Sequence, residues 1–167
     1  MPESWSHLTR RFFWSLRVRP LTQPERAYVA SLLEGAIRVA FFEQSTADQR
    51  HGLDAARLAE KQGVSSEVVM AALVHDIGKR HARLGVIGRS AAAICGRLGL
   101  PTPGRLGMYL DHPRLGADEL AGFGANPLIV DFTRHHHGRR PSSIAENDWE
   151  ILIASDSTVT GPATSDN

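Results

Sequence analysis

The stretch AALVHDIGKRHA, Ala71 to Ala82, joins an apolar run to two adjacent titratable side chains. The run that leads into it, EVVMAALV, follows Ser65 and Ser66, either of which can cap a helix. Its apolar positions predict a core helix, and His75 and Asp76 come at the end of that helix. A buried histidine or aspartate is costly unless it is paired or ligated. The pair therefore indicates a metal or catalytic site that lies against the core.

Apolar residues at three- and four-residue spacing recur on both sides of this stretch. They run through ERAYVASLLEGAIRVAFFEQ before it and through VIGRSAAAICGRLG, HPRLGADELAGFG and NPLIVDFTRHHH after it. Thr46 and Gln49 have the spacing of a capping box, and Gly63 is placed to end that helix. Asn126 and Pro127 mark another helix start. Because no segment shows the alternation of a strand, the sequence predicts an all-α fold with one core.

The predicted helical domain spans residues 25–158. Residues 1–24 are basic and aromatic, and we expect an arm that packs on the domain, with a membrane-surface segment as the alternative. The last predicted helix, WEILIASD, can start at Asn147 or Asp148. Residues 159–167 are polar and without periodicity, so we expect a flexible tail there.

Composition excludes several classes of protein. A length of 167 residues with 42% hydrophobic content fits one domain with a sizeable core. A net charge of +1 gives no bulk electrostatic reason to expect a nucleic-acid partner. The single cysteine, Cys95, excludes a disulfide framework and a cysteine-based zinc site. No apolar run approaches the roughly 20 residues of a membrane span, and the N-terminus lacks the apolar region of a signal peptide. We therefore expect a cytoplasmic protein.

Histidines and aspartates lie beside apolar positions on several of the predicted helices. The chain has eight histidines, and they include His51 in DQRHGLDAARLA, His112 in HPRLGADEL and a triplet that starts at His135. Asp156 ends ILIASD. Each has an ordinary explanation by itself, such as a histidine at a helix C-terminus favoured by the dipole. Together they are the donor types that bind divalent first-row metals, presented from helices into a bundle core.

At these residues the chain resembles the HD superfamily of metal-dependent phosphohydrolases. The minimal H…HD…D signature of that superfamily falls on His51, His75, Asp76 and Asp156, and HDIGK matches its HDxGK form. HPRLGADEL resembles the HP-x-x-G segment of HD-GYP phosphodiesterases, and RHHHG resembles their paired-histidine segment. The resemblance covers residues 48–156. GRRPSSIAEND stands where the GYP motif would follow, which argues against cyclic di-GMP as the substrate.

The resemblance implies an all-α HD-domain helical bundle with two divalent metal ions, which could be Mn, Fe, Mg, Ni or Zn. The first ion would take the four signature residues, His51, His75, Asp76 and Asp156. The second would take His112 and two histidines of the triplet. His136 is a ligand in either register of the triplet, and the GRRP stretch that follows favours His135 over His137 as its partner.

The implied function is a phosphatase or phosphodiesterase that acts on a nucleotide or another small phosphate ester. Asp76 would bridge the ions or hold the nucleophilic water, and Lys79 would steady a substrate phosphate, unless it is a solvated lysine at a helix end. Arg80, Arg139 and Arg140 are candidates for phosphate contacts by position alone, and solvated surface arginines are the alternative. The alternative functions are a diiron oxygenase with the same ligand types and a non-catalytic regulatory module.

Overall fold

The structure, a computed structural model, describes residues 18–159 as α-helices and connecting loops without a strand. The all-α prediction is therefore confirmed. The helices are α1 Gln23–Leu32, α2 Gly35–Phe42, α3 Thr46–Glu60, α4 Ser66–Val74, α5 Lys79–Ala82, α6 Val86–Arg97, α7 Arg105–Leu110, α8 His112–Gly122, α9 Pro127–His135 and α10 Glu146–Val159. Most of the arm predicted over residues 1–24, and the tail after residue 159, lie outside the described residues.

Helix α4 is the centre of the bundle. Ser65 caps it, because the Ser65 side chain accepts a hydrogen bond from the backbone N–H of Val68. Its buried residues are Val68, Val69, Ala71, Ala72, Leu73 and Val74. A helix that is apolar all round must be covered on every side, and α3, α9 and α10 pack against it. The end of α4 therefore opens into the interior of the bundle.

Helix α3 approaches α4 very closely at Gly52. A Cβ atom at Gly52 would lie 2.3 Å from the backbone oxygen of Leu73, so only glycine fits there without a shift of the helices. The capping box predicted at Thr46 and Gln49 is wrong by one position. Ser45 is the cap and accepts from the backbone N–H of Asp48. His51 follows one turn later and faces the end of α4.

The segment of helical apolar spacing before α3 forms two helices, α1 and α2. Leu33 adopts extended backbone and ends α1, and Gly35, with a φ of +52°, begins α2 in a conformation that other residues rarely adopt. Helices α6 and α7 pack against each other, and α7 also contacts α5 and α8. None of the helices in residues 18–159 is long and apolar enough to cross a membrane.

Candidate metal centre

One group of ligand atoms lies where α3, α4 and α10 meet. His51 Nε2 is 2.9 Å from Asp156 Oδ1 and 3.3 Å from His75 Nε2. Asp76 presents Oδ2 to the same point, 3.6 Å from His51 Nε2 and 3.5 Å from His75 Nε2. His51, His75 and Asp76 are buried, and Asp156 is partly exposed. The structure thus brings the four signature residues together from three helices.

A second group lies on the other side of the same carboxylate. His112 is the first residue of α8, and His136 and His137 follow the end of α9. Ring nitrogens of these three histidines lie within 4.8 Å of one another. Asp76 presents its other oxygen here, with Oδ1 3.1 Å from His112 Nε2 and 3.7 Å from His136 Nε2. Helices α8 and α9 pack together, which holds this group in place.

Backbone carbonyls fix the orientation of three of the histidine rings. The Nδ1 atom of His75 lies 2.9 Å from the carbonyl oxygen of Ala72. The same three-residue spacing joins His112 to Tyr109 at 2.7 Å and His136 to Thr133 at 2.8 Å. With Nδ1–H donating to a carbonyl, the Nε2 atom of each ring is the one that faces Asp76 and could bind a cation. Metal-binding histidines are commonly held by such a hydrogen bond on the second nitrogen.

Three buried polar atoms at the centre make no hydrogen bond within the described part of the chain. They are Asp76 Oδ1, His112 Nε2 and His136 Nε2, and all three point at the second group. Buried polar atoms are normally satisfied, and each unsatisfied one costs about 1–3 kcal/mol. A divalent cation bound by all three would remove that cost. The donor set of imidazole nitrogens and a carboxylate suits manganese, iron, nickel or zinc, so these residues fit such an ion.

The protonation states of the residues at the centre also suit metal binding. Burial works to raise the pKa of Asp76, but the Lys79 ammonium and His75 hold that pKa well below its usual range. Burial lowers the pKa of His112, and partial desolvation of the ring together with the neighbouring His136 and His112 lowers the pKa of the more exposed His137 to about 3, which keeps both rings neutral at physiological pH. Burial also works to lower the pKa of His75, yet the carboxylates of Asp76 and Asp156 raise it to about 9. A cation bound at His75 must therefore displace a proton.

Comparison with known families agrees with this geometry. The family model of the HD domain matches residues 49–158, which is more than half of the chain. The chain belongs to the HD-domain family. Comparisons with curated proteins and with solved structures gave no match. The matched range includes every residue of both ligand groups, so the two groups lie within the HD domain itself.

The histidine triplet enters the HD domain's second group in one register. His136 and His137 lie with His112, whereas His135 does not belong to either group of ligand atoms. The structure therefore differs from the expected pairing of His135 with His136. The reason is the end of α9. His135 is the last helical residue, and the chain turns at His136, where Gly138 donates to the carbonyl of His135.

Lys79 is buried directly beside the HD pair. Only 7% of its surface is exposed, and its ammonium contacts Asp76 Oδ2. The expected role at a substrate phosphate would require the ammonium to leave that oxygen or to share it.

Two of the three candidate arginines form hydrogen bonds or ion pairs with other residues. Arg80 forms a bidentate ion pair with Glu119 on α8, contacts Glu43, and donates to the carbonyl of Ile77 at 3.2 Å. Arg140 donates to the carbonyl of Ile144, and Arg139 is exposed. Arg80 thus links the turn after His75 and Asp76 to α8, and no sequence signal predicts this role.

Glycines allow α8 to lie against the HD turn. A Cβ atom at Gly78 would meet the carbonyl oxygen of His112 at 2.1 Å, and one at Gly116 would meet the backbone nitrogen of Gly78 at 2.9 Å. These are the glycines of HDIG and of HP-x-x-G. Their physical role is now clear, because backbone contact between these segments sets the distance from His112 to Asp76.

Proposed function

We propose that the protein is a metal-dependent phosphohydrolase that acts on a nucleotide or another small phosphate ester through two divalent cations. One observation carries the proposal. The two oxygens of the Asp76 carboxylate are divided between the groups, with Oδ2 facing His51 and His75 and Oδ1 facing His112 and His136. This is the arrangement of a carboxylate that bridges two ions. The HD-domain match supports the same class of chemistry.

We assign the first cation to His51, His75, Asp76 and Asp156, and the second to Asp76, His112, His136 and His137. His137 replaces His135 in this set because its ring lies with the other two histidines. Two divalent cations at such a site acidify water and neutralise the charge on phosphoryl oxygens. The ligands are mostly buried, and the more exposed members Asp156 and His137 mark the open side.

Lys79 is the residue we assign to the substrate phosphate. In the structure its ammonium neutralises Asp76 in a buried setting. A cation on Asp76 Oδ2 would repel the ammonium, because like charges at close range in a buried site strongly disfavour each other. The released Lys79 would still be held near the centre by its position at the start of α5. It would then be available as a point charge for a phosphate oxygen.

The test is reconstitution with Mn²⁺, followed by metal analysis and a hydrolysis screen. The screen uses p-nitrophenyl phosphate, bis-p-nitrophenyl phosphate and common nucleotides. We expect two ions per chain, hydrolysis of at least one ester, and loss of both ions and turnover in Asp76→Asn. Asp118→Asn is the matched control, since Asp118 is an exposed carboxylate on α8 that pairs with Arg114 and Arg134.

Other outcomes would favour the alternative functions. Tight binding of iron with O₂ uptake and no ester hydrolysis would support a diiron oxygenase, which uses the same ligand types. Retention of the helical fold without metal binding or turnover would support a regulatory module. Either result would contradict the phosphohydrolase proposal.

A further inference from the structure

An arginine outside both ligand groups is held by hydrogen bonds to the first turn of the helix that carries His51. Arg89 on α6 forms a bidentate ion pair with Asp48, with both nitrogen–oxygen distances at 2.6 Å. Its Nε donates to the carbonyl of Leu84 at 3.0 Å, and Nη2 contacts Ser45 Oγ at 3.2 Å. Asp48 is only 5% exposed. The guanidinium therefore ties α6 to the first turn of α3, and a fork of this kind fixes orientation as well as distance.

Two residues that contact Arg89 lie close to a proposed ligand, one in each group. Asp48 lies three residues before His51, so the two side chains share one face of α3. On its other side the Arg89 guanidinium lies 5.8 Å from the centre of the Tyr109 ring. The carbonyl of Tyr109 accepts the Nδ1–H of His112, and the two rings are 5.8 Å apart. Arg89 thus contacts Asp48, which lies one turn before His51, and Tyr109, which accepts the hydrogen bond of His112.

His112 depends on its surroundings more than His51 does. His51 lies in the middle of a long core helix, whereas His112 is the first residue of α8 and has only Asp111 between it and α7. The acceptor that orients its ring belongs to α7, not to α8. Helix α7 is held in turn by α6, where Gly96 and Leu110 meet closely. A movement of α6 away from α3 can therefore be passed through α7 to the His112 ring.

We propose that Arg89 is a positioning residue for the second cation, and that it keeps the Tyr109 carbonyl where it orients His112. This inference rests on the proposed two-cation centre. The hydrogen bonds and ion pair of Arg89 in the described part of the chain go to Leu84, Asp48 and Ser45, none of which is an assigned ligand. The expected effect of Arg89 is therefore on the affinity of the second site, with the first site left as it is. Loss of a residue that orients a ligand typically weakens metal binding about 10- to 100-fold.

The experiment titrates Mn²⁺ into the apo form of the full chain and its variants. Calorimetry gives the two affinities, and electron paramagnetic resonance detects the spin coupling of paired Mn²⁺ ions. For Arg89→Gln we expect the Mn²⁺ affinity of the second site to fall about 10- to 100-fold, while the affinity of the first site stays within two- to threefold of the wild-type value. The signal of spin-coupled Mn²⁺ pairs should then be lost at Mn²⁺ concentrations that give it in the wild-type protein. Asp48→Asn should behave alike. The double variant should lose no more than either single variant, because both act through one ion pair.

Arg57→Gln is the matched control. Arg57 lies on the same helix as Asp48 and forms an ion pair with Glu25 at 3.0 Å, far along the helix from α6. It should keep both affinities. If Arg89→Gln does not fold, Arg89→Lys, which keeps the charge and loses the fork, takes its place with the same expectation.

The results separate this inference from the proposal beneath it. Wild-type protein with two ions and an Arg89 variant with unchanged second affinity would overturn the inference alone. Equal weakening of both sites would also overturn it, since that is the result of a general structural role. Wild-type protein that never takes up a second ion would overturn both.

Discussion

Gly78→Ala should separate the two halves of the metal centre. Gly78 has a φ of −66°, a value that alanine adopts without strain, so the effect of the substitution is purely steric. The new methyl group would lie 2.1 Å from the carbonyl oxygen of His112, 2.7 Å from the nitrogen of Gly116 and 3.0 Å from the carbonyl carbon of His112. All three are backbone atoms of α8, so no side chain can rotate to make room.

The magnitude follows from these distances. Contacts under 3.0 Å are essentially never seen for a real Cβ atom, so α8 must retreat by roughly 1 Å at His112. Overpacking of this kind costs typically about 1–3 kcal/mol, and backbone contacts place this case at the upper end. For a chain of this size about 3 kcal/mol corresponds to a fall in melting temperature of roughly 6–12 °C. A displacement of about 1 Å at the site can reduce turnover about 100-fold.

The assay combines thermal denaturation with metal analysis. We expect Gly78→Ala to fold, to keep the ion held by α3, α4 and α10, and to lose the ion held by His112. Gly122→Ala is the control on the same helix, because a Cβ atom there meets nothing within 4 Å. It should leave metal content unchanged and raise stability by about 0.5–1 kcal/mol. Gly78→Ala with two tightly bound ions and normal turnover would refute the reasoning.

Three further outcomes are expected. His137→Ala should weaken the second ion and His135→Ala should not, as measured by Mn²⁺ titration, and the reverse result would restore the His135 register. Thr133→Val should raise the free energy of unfolding by about 1 kcal/mol, as measured by denaturant titration. The reason is that the Thr133 hydroxyl is fully buried and has no hydrogen-bond partner in the described residues. A fall in the free energy of unfolding by a similar amount would contradict this. Mn²⁺ at about 100 times the dissociation constant of a site should stabilise the fold by about 2.7 kcal/mol for that site, and an unchanged melting temperature with and without chelator would argue against a folded-state metal site.

Local signals were sufficient to predict the helices around α4. The cap at Ser65, the start at Asn126 and Pro127, and the turn at Gly63 all appear in the structure. The apolar spacing continues across Leu33, so periodicity alone does not predict the break there. Only the positive φ at Gly35 shows that the chain changes direction there. Periodicity reports which residues face a core, and it does not report where one helix gives way to the next.

The candidate site divides in the same way. The types and order of the residues along the chain are enough to identify six candidate ligands, His51, His75, Asp76, His112, His136 and Asp156. The choice between His135 and His137 depends on where α9 ends and how the chain turns. The sequence of three consecutive histidines does not show either. The ties from Arg89 to Asp48 and from Arg80 to Glu119 span 41 and 39 residues of sequence. Such pairs are visible only after folding, although the three-residue spacing of Asp48 and His51 is a signal that could have been followed.

The two ligand groups rest on different kinds of support, and this predicts how the centre fails. The first group comes from α3, α4 and α10, which pack against one another in the core. The second comes from the first residue of α8 and the turn after α9. Its geometry depends on the contact of Gly78 with His112 and on the carbonyl of Tyr109. Small shifts of α8 should therefore empty the second site well before the bundle unfolds. Under the proposed function, such shifts would produce a chain that keeps its fold and one ion but has lost phosphohydrolase activity.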